Sequence, residues 1–311
     1  MKIGQGKYSI KDLERLSGVK AHTIRIWEQR YNLLVPERTD TNIRLYNDKE
    51  LKQLLNIALL INQGSKISHI SKLSESQICE KIHQLSLNPT HQDQFFQIQI
   101  NELVLAMLEF KDSKFDKVIS TCTLKYGFES TMMNVLIPFL HKIGVMWRTG
   151  EANIVQEHFI SNLIRRKILV AIDGFIDTEK EDAETYLLYL PENELHEIGL
   201  LFGKYLLKVR GKNVIYLGQN VPFEDVVYFC RNHQPKYVLT FFTAAYAIDT
   251  IKTYLSSLSS EIAQFSTILI AGPQLCHLGD AFPPKVQPLY CIQDLIDLAE
   301  GNKKTFNVSQ N

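Results

Sequence analysis

His196 lies two residues after Glu194 and three before Gly199, in the run Glu194-Leu195-His196-Glu197-Ile198-Gly199. A neutral imidazole nitrogen ligates metals, and a carboxylate within reach of the other ring nitrogen sets its tautomer and orientation. Glu194 is close enough in sequence to do that. A second pair, Glu157-His158, follows Trp147 after nine intervening residues. Tryptophan packs well against a flat, extended ligand, and an imidazole beside it supplies a polar contact. The same residues also read as a half-exposed polar pair next to a core tryptophan, because neighbouring helical residues do not share a face. A third group is cationic. Arg25, Arg38 and Arg44 stand near the N-terminus with His22, Thr23 and Tyr46, and guanidinium forks bind phosphate or read guanine edges. Arg30 belongs either with them or with an internal acid such as Glu28.

Such side chains need elements to hold them. Residues 186–190 form an apolar run that reads as a strand, and Leu200-Leu201-Phe202 with Tyr205-Leu206-Leu207 recur at helical spacing. His196 therefore falls in a strand–helix loop, where open α/β sheets bind their ligands. Further apolar runs at 213–218, 237–242 and 267–272 are separated by helical segments. That pattern means a doubly wound parallel sheet covered on both faces, and it carries no G-x-G-x-x-G fingerprint. Upstream, residues 93–112, 113–127, 129–147 and 152–172 have helical patterns with Gly127 and Gly150 at two of the joints, the makings of a four-helix bundle. Nearest the N-terminus, Ile10, Leu13 and Leu16 share a helical face after a candidate N-cap, Ser9, and Gly18 turns the chain. Ile24 and Trp27 then face inward from a second helix and leave His22, Thr23 and Arg25 outward. Two short helices joined by a glycine turn are the ingredients of a helix-turn-helix. Residues 33–46 follow as a loop-rich hairpin, then a helix over 50–60, with breaks at 64–66 and 86–91.

A chain of 311 residues, 45% apolar and 22% charged, is folded and divides into two or three domains. Its 34 Lys and Arg balance 34 Asp and Glu, but unevenly along the chain. Through Glu75 there are 13 basic residues against 8 acidic, a net of +5, which leaves −5 for the remainder. One nucleic-acid-binding end joined to a neutral-to-acidic sensor or enzyme has that polarity. Cys79, Cys122, Cys230, Cys276 and Cys291 form neither a disulfide framework nor a zinc spacing, and read as reduced thiols. The first residues lack a signal-peptide core, and the apolar stretch 51–61 is interrupted by Lys52, Gln53 and Asn56. The expectation is a cytoplasmic chain without a membrane span.

Taken in order, Arg25-Ile26-Trp27-Glu28-x-Arg30-Tyr31, Pro36-x-Arg38-Thr39 and Arg44-Leu45-Tyr46 resemble the MerR-type winged helix-turn-helix. The resemblance implies that the helix bearing Thr23 and Arg25 enters the major groove. It places the Arg38–Arg44 wing on flanking backbone or minor groove, with Tyr46 on a phosphate or bracing the wing. That family's long dimerisation helix is interrupted here by Gly64-Ser65-Lys66, so the oligomer is expected to form elsewhere. Glu194-x-His196-x-x-Gly199 resembles the Asp-x-His-x-x-Gly loop of the cobalamin-binding module of methionine synthases and corrinoid proteins, whose His is the lower cobalt ligand. The small hydroxyl residue and the Gly-Gly that line the buried nucleotide tail in that family correspond to Thr240 with Thr243 and to Ala271-Gly272. Glu194 for Asp and Ala271 for Gly are departures from the pattern. With Trp147, Glu157 and His158 included, the whole layout resembles the light-sensing adenosylcobalamin repressors of carotenoid genes. By that resemblance Trp147 caps the adenosyl group and His196 ligates cobalt from below. Light breaks the cobalt–carbon bond, His158 takes the upper position, and a DNA-bound tetramer disassembles.

The expectation is a cytoplasmic, non-enzymatic DNA-binding repressor with three domains. Residues 1–80 would be the winged helix-turn-helix, 85–180 a helical bundle capping the cofactor, and 182–300 a Rossmann-like cobalamin-binding domain. Its cofactor would be adenosylcobalamin with its cobalt. Its partners would be a double-stranded DNA operator, further copies of itself as dimer or tetramer, and possibly another protein, with no membrane. An alternative keeps the regulator but drops the cofactor, leaving a degenerate C-terminal domain for oligomerisation or partner binding. A corrinoid methyl carrier is the enzyme reading, and the basic N-terminal region argues against it.

Overall fold

A computed structural model describes residues 8–39, 41–87, 92–148, 152–175, 183–279 and 281–302. It separates into two compact units, residues 1–163 and 164–311. The expected joint at Gly150, residues 88–91 of the expected break and the boundaries at 177–182 lie outside the described residues, as does the side chain of Cys79.

The first unit begins with the expected capped helix. The Ser9 hydroxyl accepts from the Asp12 amide while the Asp12 carboxylate accepts from the Ser9 amide, closing a capping box on α1 (Ile10–Ser17). Gly18, at φ 74°, ends that helix in the left-handed region. Helix α2 (Ala21–Tyr31) follows, and Leu13, Leu16, Ile24 and Trp27 are buried. Strands β1 (Glu37–Arg38) and β2 (Arg44–Leu45) form an antiparallel hairpin with Arg38 opposite Arg44. A second capping box, Asn47 with Glu50, starts α3 (Asp48–Asn62), and Glu50 also accepts from the Val35 amide. After Gly64 come α4 (Ile67–Ile70) and α5 (Glu75–Leu87), so residues 86 and 87 of the expected break at 86–91 are helical.

The helical middle region comprises α6 (Gln92–Leu108), α7 (Asp112–Tyr126), α8 (Phe128–Thr131), α9 (Ile137–Arg148) and α10 (Ile154–Asp173). A π-helical turn over Met132–Leu136 joins α8 to α9. Apolar residues surround α6, from Phe95 and Phe96 through the run Leu103–Leu108. A helix that is hydrophobic all round is an interior helix, and α6 does pack against α3, α5, α7 and α9. Among the described residues, no helix is long and apolar enough to cross a membrane.

The second unit holds a five-stranded, all-parallel sheet in the order β4-β3-β5-β6-β7. Its strands are β3 (Thr185–Pro191), β4 (Asn213–Val221), β5 (Tyr237–Phe241), β6 (Thr267–Ala271) and β7 (Val286–Pro288). Helices α11 (Ile198–Val209), α12 (Phe223–His233), α13 (Ile248–Ile262) and α14 (Ile292–Glu300) connect and cover them. Leu187, Tyr189, Val238, Ile268 and Ile270 pack with α12 and α13, whereas α11 packs with α14. Tyr186 to Leu190 are all fully buried, as a central parallel strand requires. Because β3 lies between β4 and β5, the strand order reverses there. The crevice for a ligand opens beyond the carboxyl ends of β3 and β5.

Candidate functional site

The loop between β3 and α11 carries His196, and Glu194 holds it. The Glu194 side chain is completely buried. Its Oε1 accepts from the His196 backbone amide (3.1 Å) and pairs with the ring Nδ1 (2.6 Å). Its Oε2 accepts from the amides of Thr243 (2.7 Å) and Ala244 (2.8 Å), which follow β5. All the lone-pair directions of the carboxylate are thereby used. Burial pushes the Glu194 pKa up, but the Ala244 amide, the His196 ring, and the Thr243 and His196 amides outweigh it and hold the carboxyl below its usual range. With Nδ1–H donated to the carboxylate, Nε2 carries the lone pair, and the imidazole is 60% exposed. The arrangement presents one oriented imidazole nitrogen at the sheet's crevice. Among the described residues, no group of three or more His, Cys, Asp or Glu side chains is placed to hold a metal ion.

Neighbouring bonds brace the loop. The Asn193 amide donates to Asn220 Oδ1 (2.9 Å), and Gln219 Nε2 donates to the Leu195 carbonyl (2.6 Å). Glu197, buried next to His196, accepts from Arg165 of α10 and from the Tyr216 hydroxyl of β4 (2.9 Å for the latter). Sequence reasoning missed Glu197, whose partners lie 32 residues upstream and 19 downstream. Thr243 meets Glu194 through its backbone rather than its hydroxyl. Thr240 is fully buried, and its hydroxyl has no hydrogen-bond partner among the described residues. Gly199 lies in the first turn of α11, and Gly272 follows β6 at φ 111°.

In the first unit, Trp147 is 56% exposed at the end of α9, which corrects its reading as a core residue. Glu157 Oε2 stands 2.9 Å from His158 Nδ1, and Oε1 accepts from Ser161 Oγ at 2.6 Å. The two neighbours on α10 thus touch although they point from adjacent helical positions, because Glu157 is long enough to lean across.

The cationic group is rearranged in one respect. His22, Arg25 and Arg30 are exposed on α2, with Thr23 half-buried, and Arg38 is exposed on the hairpin, donating to Asn42 Oδ1 (2.6 Å). Arg44 does not stand free. Its Nε donates to both oxygens of Glu28 (2.9 and 3.0 Å), and the Tyr46 hydroxyl donates to the same carboxylate (3.1 Å). Tyr46 is buried, with its hydroxyl on Glu28 at the foot of the hairpin. The internal partner of Glu28 is therefore Arg44 on the hairpin, not Arg30, which stays exposed.

The family described as MerR HTH family regulatory protein matches residues 8–77, and that described as B12 binding domain matches residues 99–171. The chain is 29% identical to the HTH-type transcriptional repressor CarH of Myxococcus xanthus over 231 residues, covering 72% of this chain and 75% of CarH. It is 24% identical to the repressor CarA of the same organism over 262 residues, covering 84% and 85% of the two chains. Among solved structures, the monomethylamine corrinoid protein of Methanosarcina barkeri aligns with a TM-score of 0.51 at 15% identity, over 62% of this chain and 93% of that one, a likeness of fold.

Two outcomes follow from these contacts. Replacing Glu194 by Gln puts an amide against amide donors, and should lower unfolding stability at neutral pH by about 1–3 kcal/mol. The Glu194 pKa is depressed on folding, so its contribution is present above the unfolded carboxyl pKa and is lost as pH falls through the folded value. Denaturant unfolding at several pH values should find the gap between wild type and variant closing on acidification. Second, Glu28→Ala removes a negative charge from beside Arg44, which by charge alone would strengthen binding to a polyanion such as DNA. Loss of the Arg44–Tyr46 brace should instead weaken binding to a selected DNA duplex by about tenfold in a mobility-shift assay.

Proposed function

We propose that this chain, a MerR-type helix-turn-helix regulator fused to a B12-binding module and homologous to the CarH and CarA repressors, represses transcription under the control of an adenosylated corrinoid and of light. The observation that carries the corrinoid part is the four-point hold of Glu194 on His196 and on the Thr243–Ala244 turn. It leaves one imidazole nitrogen oriented to hold a metal, with the Glu194 carboxylate fixing the tautomer and direction of the ring. The donor set fits a corrinoid cobalt. When bound, an adenosylated corrinoid supplies a cobalt–carbon bond that light can break.

The remaining roles belong to the chain's own side chains. His196 binds from below. Trp147 offers an exposed indole face to the adenosyl group, and Glu157 orients His158 beside it. On this reading α6, α7, α8 with α9, and α10 make the four-helix bundle of the 85–180 domain, and the doubly wound sheet belongs to the domain of 182–300. In the 1–80 domain the β1–β2 hairpin acts as a wing. His22, Thr23 and Arg25 enter the major groove, joined by Arg30, and Arg38 contacts flanking phosphate. Glu28 fixes the wing through Arg44 and Tyr46. A dimer or tetramer would read the operator as two-fold half-sites, and the cytoplasm is the compartment for that work.

The test is reconstitution of the full chain in the dark with adenosylcobalamin and with adenosylcobinamide, followed by visible spectra and operator binding before and after illumination. Uptake of either corrinoid, a spectral change in light and weakened DNA binding are expected. His196→Ala should lose the imidazole-ligated spectrum while DNA binding by the unloaded protein is unchanged. Uptake of neither corrinoid by the wild type would sink the reading.

A further inference from the structure

We infer that the corrinoid site of this chain is built for a corrinoid without a nucleotide tail, with Phe241 as the residue that excludes the tail; the inference rests on His196 being the cobalt ligand. When a histidine takes the lower axial position, a nucleotide tail must leave the metal. It then has to run from the lower face of the ring into the protein beside that histidine. The elements around His196 leave three places for it: the first turn of α11 at Gly199, the end of β5 at Thr240, and the chain leaving β6 at Gly272.

At two of these places, Gly199 and Gly272, the chain itself fills the space. A Cβ placed on Gly199 would lie 2.9 Å from Phe241 Cε1 and 3.1 Å from its Cδ1. The phenyl ring therefore packs on the bare α-carbon of Gly199, using the space that the missing side chain opens. At Gly272 a Cβ would lie 2.5 Å from the Phe242 carbonyl oxygen and 3.0 Å from its N and C atoms. The chain leaving β6 presses backbone to backbone on the end of β5, and the pair is locked by Phe242 N–H to Ala271 O (3.0 Å) and Gln274 N–H to Phe242 O (3.3 Å). Phe242 is buried in the core with Ile251 and Leu275, and Thr240 has no exposed surface. Both glycines thus serve close packing of this chain, and neither opens a channel. Inserting a base, a ribose and a phosphate there would overpack a filled groove.

Of the two phenylalanines, Phe242 belongs to the core, whereas Phe241 is half-exposed at the strand end. Phe241 accordingly acts as the discriminating side chain. It rejects a tail sterically while leaving Glu194 and His196 in place for the metal. Specificity of this kind comes from a clash built against one ligand, with no new attraction to the other.

The experiment measures dark equilibrium binding of adenosylcobinamide, which lacks the tail, and adenosylcobalamin, which has it, to the full-length chain. Wild type should bind the cobinamide at least about tenfold more tightly. Phe241→Ala should tighten adenosylcobalamin by about tenfold or more and leave the cobinamide affinity within about twofold. Phe241→Leu, with its smaller change in volume, should fall between them, and thermal melts confirm that each variant is folded. Equal or tighter binding of adenosylcobalamin by the wild type overturns the inference while leaving His196 as the ligand. So does a gap that Phe241→Ala fails to narrow. Binding of neither corrinoid by wild type and variants removes the reading of His196 as well.

Discussion

The C-terminal unit depends on one buried carboxylate. At the point where the strand order reverses, the loops after β3 and β5 diverge, and their backbone amides need acceptors that no neighbouring strand supplies. A carboxylate taken out of water needs donors just as strictly. Glu194 meets both needs at once, closing the Thr243–Ala244 turn with one oxygen and the His196 loop with the other. The imidazole is therefore oriented by the same contact that holds the crevice together. Glutamate stands here in place of the aspartate of the resembling family, and its carboxylate meets both Nδ1 and the turn after β5.

The N-terminal region repeats the device with a different purpose. Glu28 projects from α2, and Arg44 and Tyr46 converge on it from the hairpin. The hairpin is only two short strands, too little to hold its own position against a helix. A mostly buried acid at the base of α2 fixes that position and neutralises Arg44, while Arg25, Arg30 and Arg38 remain at the surface. In both places a buried or mostly buried acid organises a loop.

Local pattern carried much of this into the sequence. Ser9, Gly18 and the apolar runs of β3 to β6 specify their elements through neighbours a few residues away, whereas β4 continues past Gly218 to Val221 and the three-residue β7 carries no apolar run to announce it. The His196 loop was legible for the same reason, since Glu194 and His196 are two residues apart. What was not legible depends on partners brought together by folding. Arg30 and Arg44 are equivalent in sequence as partners for Glu28, and only the path of the hairpin decides between them. Glu197 looked like a spare acid because Arg165 and Tyr216 are distant along the chain. Trp147 read equally well as core or as ligand face, a choice that helical periodicity cannot make for a residue at the end of a helix.

Gly199 and Gly272 illustrate a deeper limit of the same kind. A glycine in a motif announces that something approaches the backbone closely, but not what does so. In a module that buries a nucleotide tail, the approaching group would be the ligand; here the groups are the ring of Phe241 and the carbonyl of Phe242. On the proposed reading the metal end of the site would be set by a short local contact, Glu194 to His196, and the tail end by packing between β5, β6 and α11. Because these two ends rest on different interactions, one can change while the other is kept. A chain can retain the oriented imidazole, and with it the family's motif, after substitutions at the end of β5 have altered which corrinoids the crevice admits.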